Sequence, residues 1–207
     1  KYNVGPFQDF CNDLDGVKSY IQHFEHWLSA GGEDHDAQEA RDSYDVTLFY
    51  TLLKGEPEGK ECIDHLIETG QPIFVLHHAI LNGMHSGPGG LVPPEREWWE
   101  KIMGLSDRRI TKDDIYVGPY QITVNKDHPA SVGLADFEIY DETYGIGDCH
   151  DDCDVLLTTS KKPSMRTVAW SRTYKNSRIF CLQLGHDTES WENPAFKTIV
   201  QNGIQWC

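Results

Sequence analysis

Two places in this chain have residue types and placement suited to acid–base or metal chemistry. His77 and His78 follow the apolar run Ile73-Phe74-Val75-Leu76, and His186 and Asp187 follow the largely apolar stretch that ends at Leu184 and Gly185. An imidazole changes charge near neutral pH, and its unprotonated nitrogen also ligates metals, so it can move a proton or hold a divalent ion. In an open α/β sheet, ligands bind beyond the carboxyl ends of the strands, where both places fall. A structural alternative stands beside this reading, because a half-buried histidine also satisfies nearby backbone with its ring nitrogens. Neighbours on a strand point to opposite sides, so one of His77 and His78 faces a given pocket. His78 is taken as the inward one.

Other candidate side chains are weighed against plainer roles. In FEIYDETY, Phe137 to Tyr144, the adjacent carboxylates Asp141 and Glu142 point apart on an extended chain, so at most one serves a pocket. Cys149-His150-Asp151-Asp152-Cys153 is metal-like in composition, but it mixes soft and hard ligands without a second cysteine pair, and it reads as a solvated acidic loop. His85 falls in a Gly- and Pro-rich loop and reads as solvent-exposed. Trp98 and Trp99 group with Ile102 on a helical face, as core or lid rather than a sugar platform.

The elements that must position these groups follow from periodicity. Helical spacing covers Pro6 to Leu14, and Val17 to Gln22 reads as a short strand, with an unbroken helix from Val17 to Leu28 as the alternative. Asp45 to Thr51 is a strand by its Val, Thr, Phe and Tyr content. Glu58 to Thr69 is a helix stopped by Gly70, and the strand ending at Leu76 completes a parallel crossover unit. Glu95 to Leu105 is helical. Tyr120 to Asn125, Phe137 to Tyr144 and Val155 to Thr159 are strands. Thr167 to Tyr174 and Arg178 to Leu184 form a hairpin across the turn formers Lys175-Asn176-Ser177. Asn193-Pro194 opens a closing helix whose buried face carries Phe196, Ile199, Val200 and Ile204.

Composition narrows the function classes. With 207 residues and no repeat or linker, the chain reads as a single domain, residues 1–207. Its 33 acidic and 18 basic residues give a formal charge of −15, which repels nucleic acid and anionic membrane surfaces. No run is long and apolar enough to span a bilayer. Six irregularly spaced cysteines argue for a reducing, cytoplasmic setting over a disulfide scaffold.

Four motifs in order carry a family resemblance: LHHA (Leu76 to Ala79), HPxxxGLxxF (His128 to Phe137), DExY (Asp141 to Tyr144), and GHDxxxWxNPxF from Gly185 through to GIQW at Trp206. From about Asp45 onward the chain resembles the ThuA-like family, named for trehalose utilisation. The resemblance implies a flavodoxin-like α/β fold related to class I glutamine amidotransferases, with a central, mainly parallel sheet and helices on both faces. It also implies a first strand preceding Lys1. In that wider fold a cysteine nucleophile follows a central strand and a histidine follows a later one. Here LHHA carries no cysteine, while His186 falls at the histidine position, so amidotransferase activity is not expected.

The resemblance favours Glu142 over Asp141 and implies that His77 or His78, Glu142 and His186 converge as catalytic groups. Tyr144, Arg166, Trp170 and Asp187 are expected as substrate contacts, and His78 and His186 as ligands if a divalent metal is used. The expected chemistry is acid–base or metal-assisted proton transfer or elimination on a small-molecule carbohydrate, a sugar or keto-sugar of disaccharide catabolism. A non-catalytic carbohydrate-binding or regulatory domain is the alternative, and homo-oligomerisation is left open.

Overall fold

A computed structural model describes residues 4–24, 27, 35–53, 57–82, 93–106, 110–125 and 127–207. In chain order the elements are α1 (Val4–Asn12), α2 (His35–Asp42), β1 (Thr47–Phe49), α3 (Pro57–Thr69), β2 (Ile73–Leu76), α4 (Pro93–Met103), β3 (Ile115–Val124), β4 (Phe137–Tyr144), β5 (Asp154–Thr158), β6 (Thr167–Tyr174), β7 (Ser177–Leu182), α5 (Thr188–Glu192) and α6 (Pro194–Trp206). His85 lies outside the described residues.

The seven strands are ordered β1-β2-β7-β6-β5-β3-β4. β1, β2 and β7 pair in parallel, and every other neighbouring pair is antiparallel. The α/β, flavodoxin-like architecture therefore has a parallel side and an antiparallel side, and the parallel character is confined to three strands. Following these pairings, β4 runs in the same sense as β2 and β7, so all three deliver their carboxyl ends to one edge. β3 is the strand that makes this possible. Its residues from Ile115 to Ile122 pair with β4, while Thr123 and Val124 pair with β5.

Both faces of the parallel side are covered, as its unbroken apolar strands require. Phe74, Leu76, Phe180 and Leu182 pack towards α1 and α6, meeting Phe7, Phe10, Phe196, Ile199 and Val200. Ile73, Val75, Ile179 and Cys181 pack towards α3 and α4, meeting Ile63, Leu66, Ile67, Trp99 and Ile102. Each fully buried side chain of this size contributes about 1.5–3 kcal/mol relative to exposure. α6 approaches β7 closely at Gly203, where a Cβ would come within 2.8 Å of the Phe180 ring.

Two expectations on the elements need correction. Val17 to Gln22 is irregular and not a strand, since no neighbour pairs with it among the described residues. The strand expected from Tyr120 begins earlier, at Ile115, because pairing with β4 carries it through Gly118 and Pro119. Trp99 is fully buried and its indole N–H donates to the Ala79 carbonyl at 3.1 Å, so it is core and braces the turn after β2. No helix among the described residues is long and apolar enough to cross a membrane.

Candidate active site

The site begins where β2 stops. Leu76 is extended, and the next residue, His77, takes φ of 52°, a left-handed conformation that turns the chain into the 3-10 turn His77–Leu81. For a residue other than glycine this conformation costs on the order of 1–3 kcal/mol and persists where the surroundings enforce it. The arrangement has the form of a strained strand-to-helix turn of the kind that presents a nucleophile in other α/β enzymes.

The surroundings that hold His77 come from the residue after β7 and from the end of β4. Its Nδ1–H donates to the Gln183 carbonyl at 2.8 Å, which leaves Nε2 as the lone-pair nitrogen. The Tyr144 hydroxyl donates to that Nε2 at 3.0 Å. Gln183 ties a third element in, because its Oε1 accepts from the Tyr144 backbone N–H and the Thr143 hydroxyl, each at 2.6 Å. One glutamine therefore fastens the carboxyl ends of β2, β4 and β7 together.

Asp141 provides a second fastening. It is buried, and its carboxylate accepts from the backbone N–H groups of Glu142 (2.7 Å), Gly185 (2.7 Å) and His186 (3.0 Å). Burial raises its pKa to about 6 in spite of these hydrogen bonds, which pull the other way. The Gly185 carbonyl accepts from the Tyr50 hydroxyl at 2.6 Å and from the Trp191 indole at 3.1 Å, so the turn carrying His186 is held from both sides. Gly185 itself has φ of +115°, and a Cβ there would press on Phe196 at 3.1 Å.

With both fastenings in place, three side chains from three strand ends meet. His77 Nε2 lies 3.3 Å from His186 Nδ1 and 3.7 Å from Glu142 Oε1, and His186 Nδ1 lies 3.6 Å from the same oxygen. The side chains are 1% exposed at His77, 18% at Glu142 and 35% at His186, so the cluster opens to solvent on the His186 side. Burial, followed by the neighbouring imidazoles, outweighs the bond to Gln183 and lowers the His77 pKa to about 3. His77 thus stays neutral across the physiological range, with Nε2 as a hydrogen-bond acceptor.

Other expected site residues are placed differently. His78 is not the inward imidazole: it is buried beside Tyr50, ring centroids 4.9 Å apart, while His77 joins the cluster. The left-handed turn at His77 ends the strand there, so strand alternation does not set the directions of His77 and His78. Trp170 is fully buried with its indole N–H on the Met103 carbonyl at 2.8 Å, so it is a core residue and not a substrate contact. Arg166 is exposed and turned to Asp148 at 3.4 Å. Asp187 caps α5, accepting from Glu189 and Ser190 N–H. Tyr144 is buried and acts on His77. The alternation along β4 places Glu142 in the cluster and Asp141 on the opposite side. Asp141 and Gln183 were missed as positioning groups. Gln183 left a trace in the sequence, a lone amide between the apolar Leu182 and Leu184.

The solved structures that the chain is similar to share this architecture. A ThuA-like protein from Bacteroides uniformis superposes with a TM-score of 0.73 at 18% identity, over 98% of this chain and 82% of that one. A ThuA-like protein from Parabacteroides merdae gives 0.61 at 18% identity, over 80% and 70%. A cytoplasmic protein from Salmonella typhimurium gives 0.63 at 14% identity, over 96% and 84%. At these identities the likeness is one of fold. No curated protein matches the sequence. The family model described as ThuA, trehalose utilisation, matches residues 28–207, and the chain belongs to that family.

Proposed function

We propose that the protein is an enzyme acting on a sugar or keto-sugar by proton transfer at a carbon next to a carbonyl, with His186 and Glu142 as the groups that exchange the proton. The observation carrying this reading is the meeting of His77, Glu142 and His186 from three strand ends in a cluster open on one side. A carbon beside a carbonyl has an acidic proton; a base removes it to leave an enediolate, and an acid returns it to carbon or oxygen. His77, kept neutral, orients the pair and accepts a hydrogen bond. Membership of the trehalose utilisation family supports a disaccharide-derived substrate. The turn that would offer a thiol in an amidotransferase offers the His77 imidazole, so thioester chemistry is no part of the proposal. The six free thiols fit a cytoplasmic setting.

The test is proton exchange in D2O. Keto-trehalose and related keto-disaccharides are incubated with the protein, and loss of the proton next to the carbonyl is followed by NMR. Wild type should exchange it, and His186→Ala and Glu142→Gln should each slow exchange by about 10²-fold or more. Full exchange by His186→Ala overturns the proposal. Sugar binding without exchange by wild type also overturns it, in favour of a non-catalytic carbohydrate-binding domain.

A further inference from the structure

We infer that His77 Nε2, His186 Nδ1 and Glu142 Oε1 form the protein half of a divalent transition-metal site, with zinc the ion that fits best. The inference rests on the cluster being the working part of the protein, as proposed above, and names what that cluster binds; with His186 Nδ1 and Glu142 Oε1 on the ion, His186 Nε2 and Glu142 Oε2 are the atoms left to exchange the proton.

Geometry is the first support. The three donor atoms form a nearly regular triangle with sides of 3.3, 3.6 and 3.7 Å. The point equidistant from the corners of such a triangle lies about 2.0 Å from each, matching zinc–nitrogen and zinc–oxygen bonds of about 2.0–2.2 Å. An ion slightly out of that plane keeps bonds of this length and leaves a further position open. The more exposed His186 marks the open side. Calcium would demand longer bonds and more oxygens, and magnesium a six-coordinate shell of oxygens.

The second support is the state of the ligands. A metal-binding imidazole must offer a lone pair, and its other nitrogen is typically fixed by donating to a carbonyl or carboxylate. His77 Nδ1–H donates to the Gln183 carbonyl, and its Nε2 lone pair, which accepts from the Tyr144 hydroxyl at 3.0 Å, is released to an ion when that hydroxyl turns aside. The backbone bonds of His186 and Glu142 to Asp141 hold the other two ligands from behind. The donor set of two imidazoles and one carboxylate is one that zinc and neighbouring first-row ions accept, and it compensates one of the ion's two charges. Among the described residues no other group of three such donors meets. When bound, the ion would supply a Lewis acid for a sugar carbonyl or hydroxyl.

The experiment is zinc titration of the full, chelator-stripped chain by calorimetry, with the absorption spectrum of the cobalt-substituted protein as a second readout. Wild type should bind one equivalent. His186→Ala and Glu142→Gln, both at partly exposed positions, should each weaken binding at least 100-fold while retaining wild-type circular dichroism. His150→Ala, in the acidic loop, should bind as wild type does. No binding by wild type, undiminished binding by both cluster variants, or loss of binding in His150→Ala overturns the inference. Zinc binding without proton exchange on any keto-sugar upholds the metal site and sinks the proposed reaction. Exchange by protein that takes up no zinc does the reverse.

Discussion

Two groups of metal-ligating residue types in this protein are built in opposite ways. Asp148 to Cys153 supplies them consecutively, yet the side chains turn to local partners. Asp148 Oδ1 accepts from the Thr167 N–H at 3.0 Å, His150 Nε2 meets Ser106 Oγ at 2.8 Å, and Asp152 pairs with Arg172 at 2.8 Å. The Cys149 thiol donates to the Thr167 hydroxyl and the Cys153 thiol to the Gly104 carbonyl, each at 3.7 Å, and the proximity of the two free thiols lowers the pKa of the first and raises that of the second. His77, Glu142 and His186 are far apart in sequence and meet because three strands end at one edge. Consecutive residues in irregular chain point apart, whereas parallel strand ends converge. Richness in ligands along the sequence is therefore a poor guide to a site, and shared sheet direction is a better one.

If that contrast is right, damage to the strand framework should cost more than damage to the loop. The largest effect belongs to Trp170→Ala, which empties a fully buried position and should destabilise the fold by about 3–5 kcal/mol in urea unfolding. Trp170→Phe, which keeps most of the packing, should leave sugar affinity unchanged; a specific loss of affinity would restore the residue as a substrate contact. Gln183→Leu should come next. It strands the Tyr144 N–H in the core and leaves the Thr143 hydroxyl with Ser164 alone, costing about 1–3 kcal/mol. It should also weaken zinc binding by about 10-fold or more through the loosened ligand shell. Undiminished zinc affinity would show that the three strand ends hold their places without it.

Smaller effects are expected further from the cluster. Asp187→Ala removes the N-cap of α5 and should cost about 1 kcal/mol without altering zinc affinity. A marked fall in affinity would give Asp187 a direct part in the site. The smallest effect is expected of His150→Ala, an exposed position, within about 0.5 kcal/mol of wild type by thermal or urea unfolding. A larger loss would mean that the acidic loop bears more of the fold than its local bonds suggest.

Much of the framework was legible because it is written in local rules. The strand Ile73 to Leu76, the hairpin across Lys175 and Asn176, and the helix opened by Asn193 and Pro194 each rest on periodicity or turn chemistry within a few residues. The preference for Glu142 came from the family's motif, and the alternation of β4 accounts for it. The misreadings share a cause in contacts from elsewhere in the chain. Alternation separates His77 from His78 without saying which faces inward, and the positive φ at His77 together with the Gln183 carbonyl that fixes its ring decides for His77. Trp170 lies on β6 outside the family motifs, and its burial is decided by the Met103 carbonyl and the packing of α4 on the sheet. Val17 to Gln22 has a strand-like composition and no partner to pair with among the described residues.

The left-handed backbone at His77 has an evolutionary consequence. Glycine would adopt that conformation without strain, and asparagine with little, whereas an imidazole occupies it at a standing cost to the fold. Selection for stability alone would favour drift at this position towards small turn-forming residues, and only selection for what the imidazole does opposes it. Position 77 would thus serve as an indicator of function across relatives: histidine kept there would point to selection for its work, and glycine there to an exchange of that work for an easier fold.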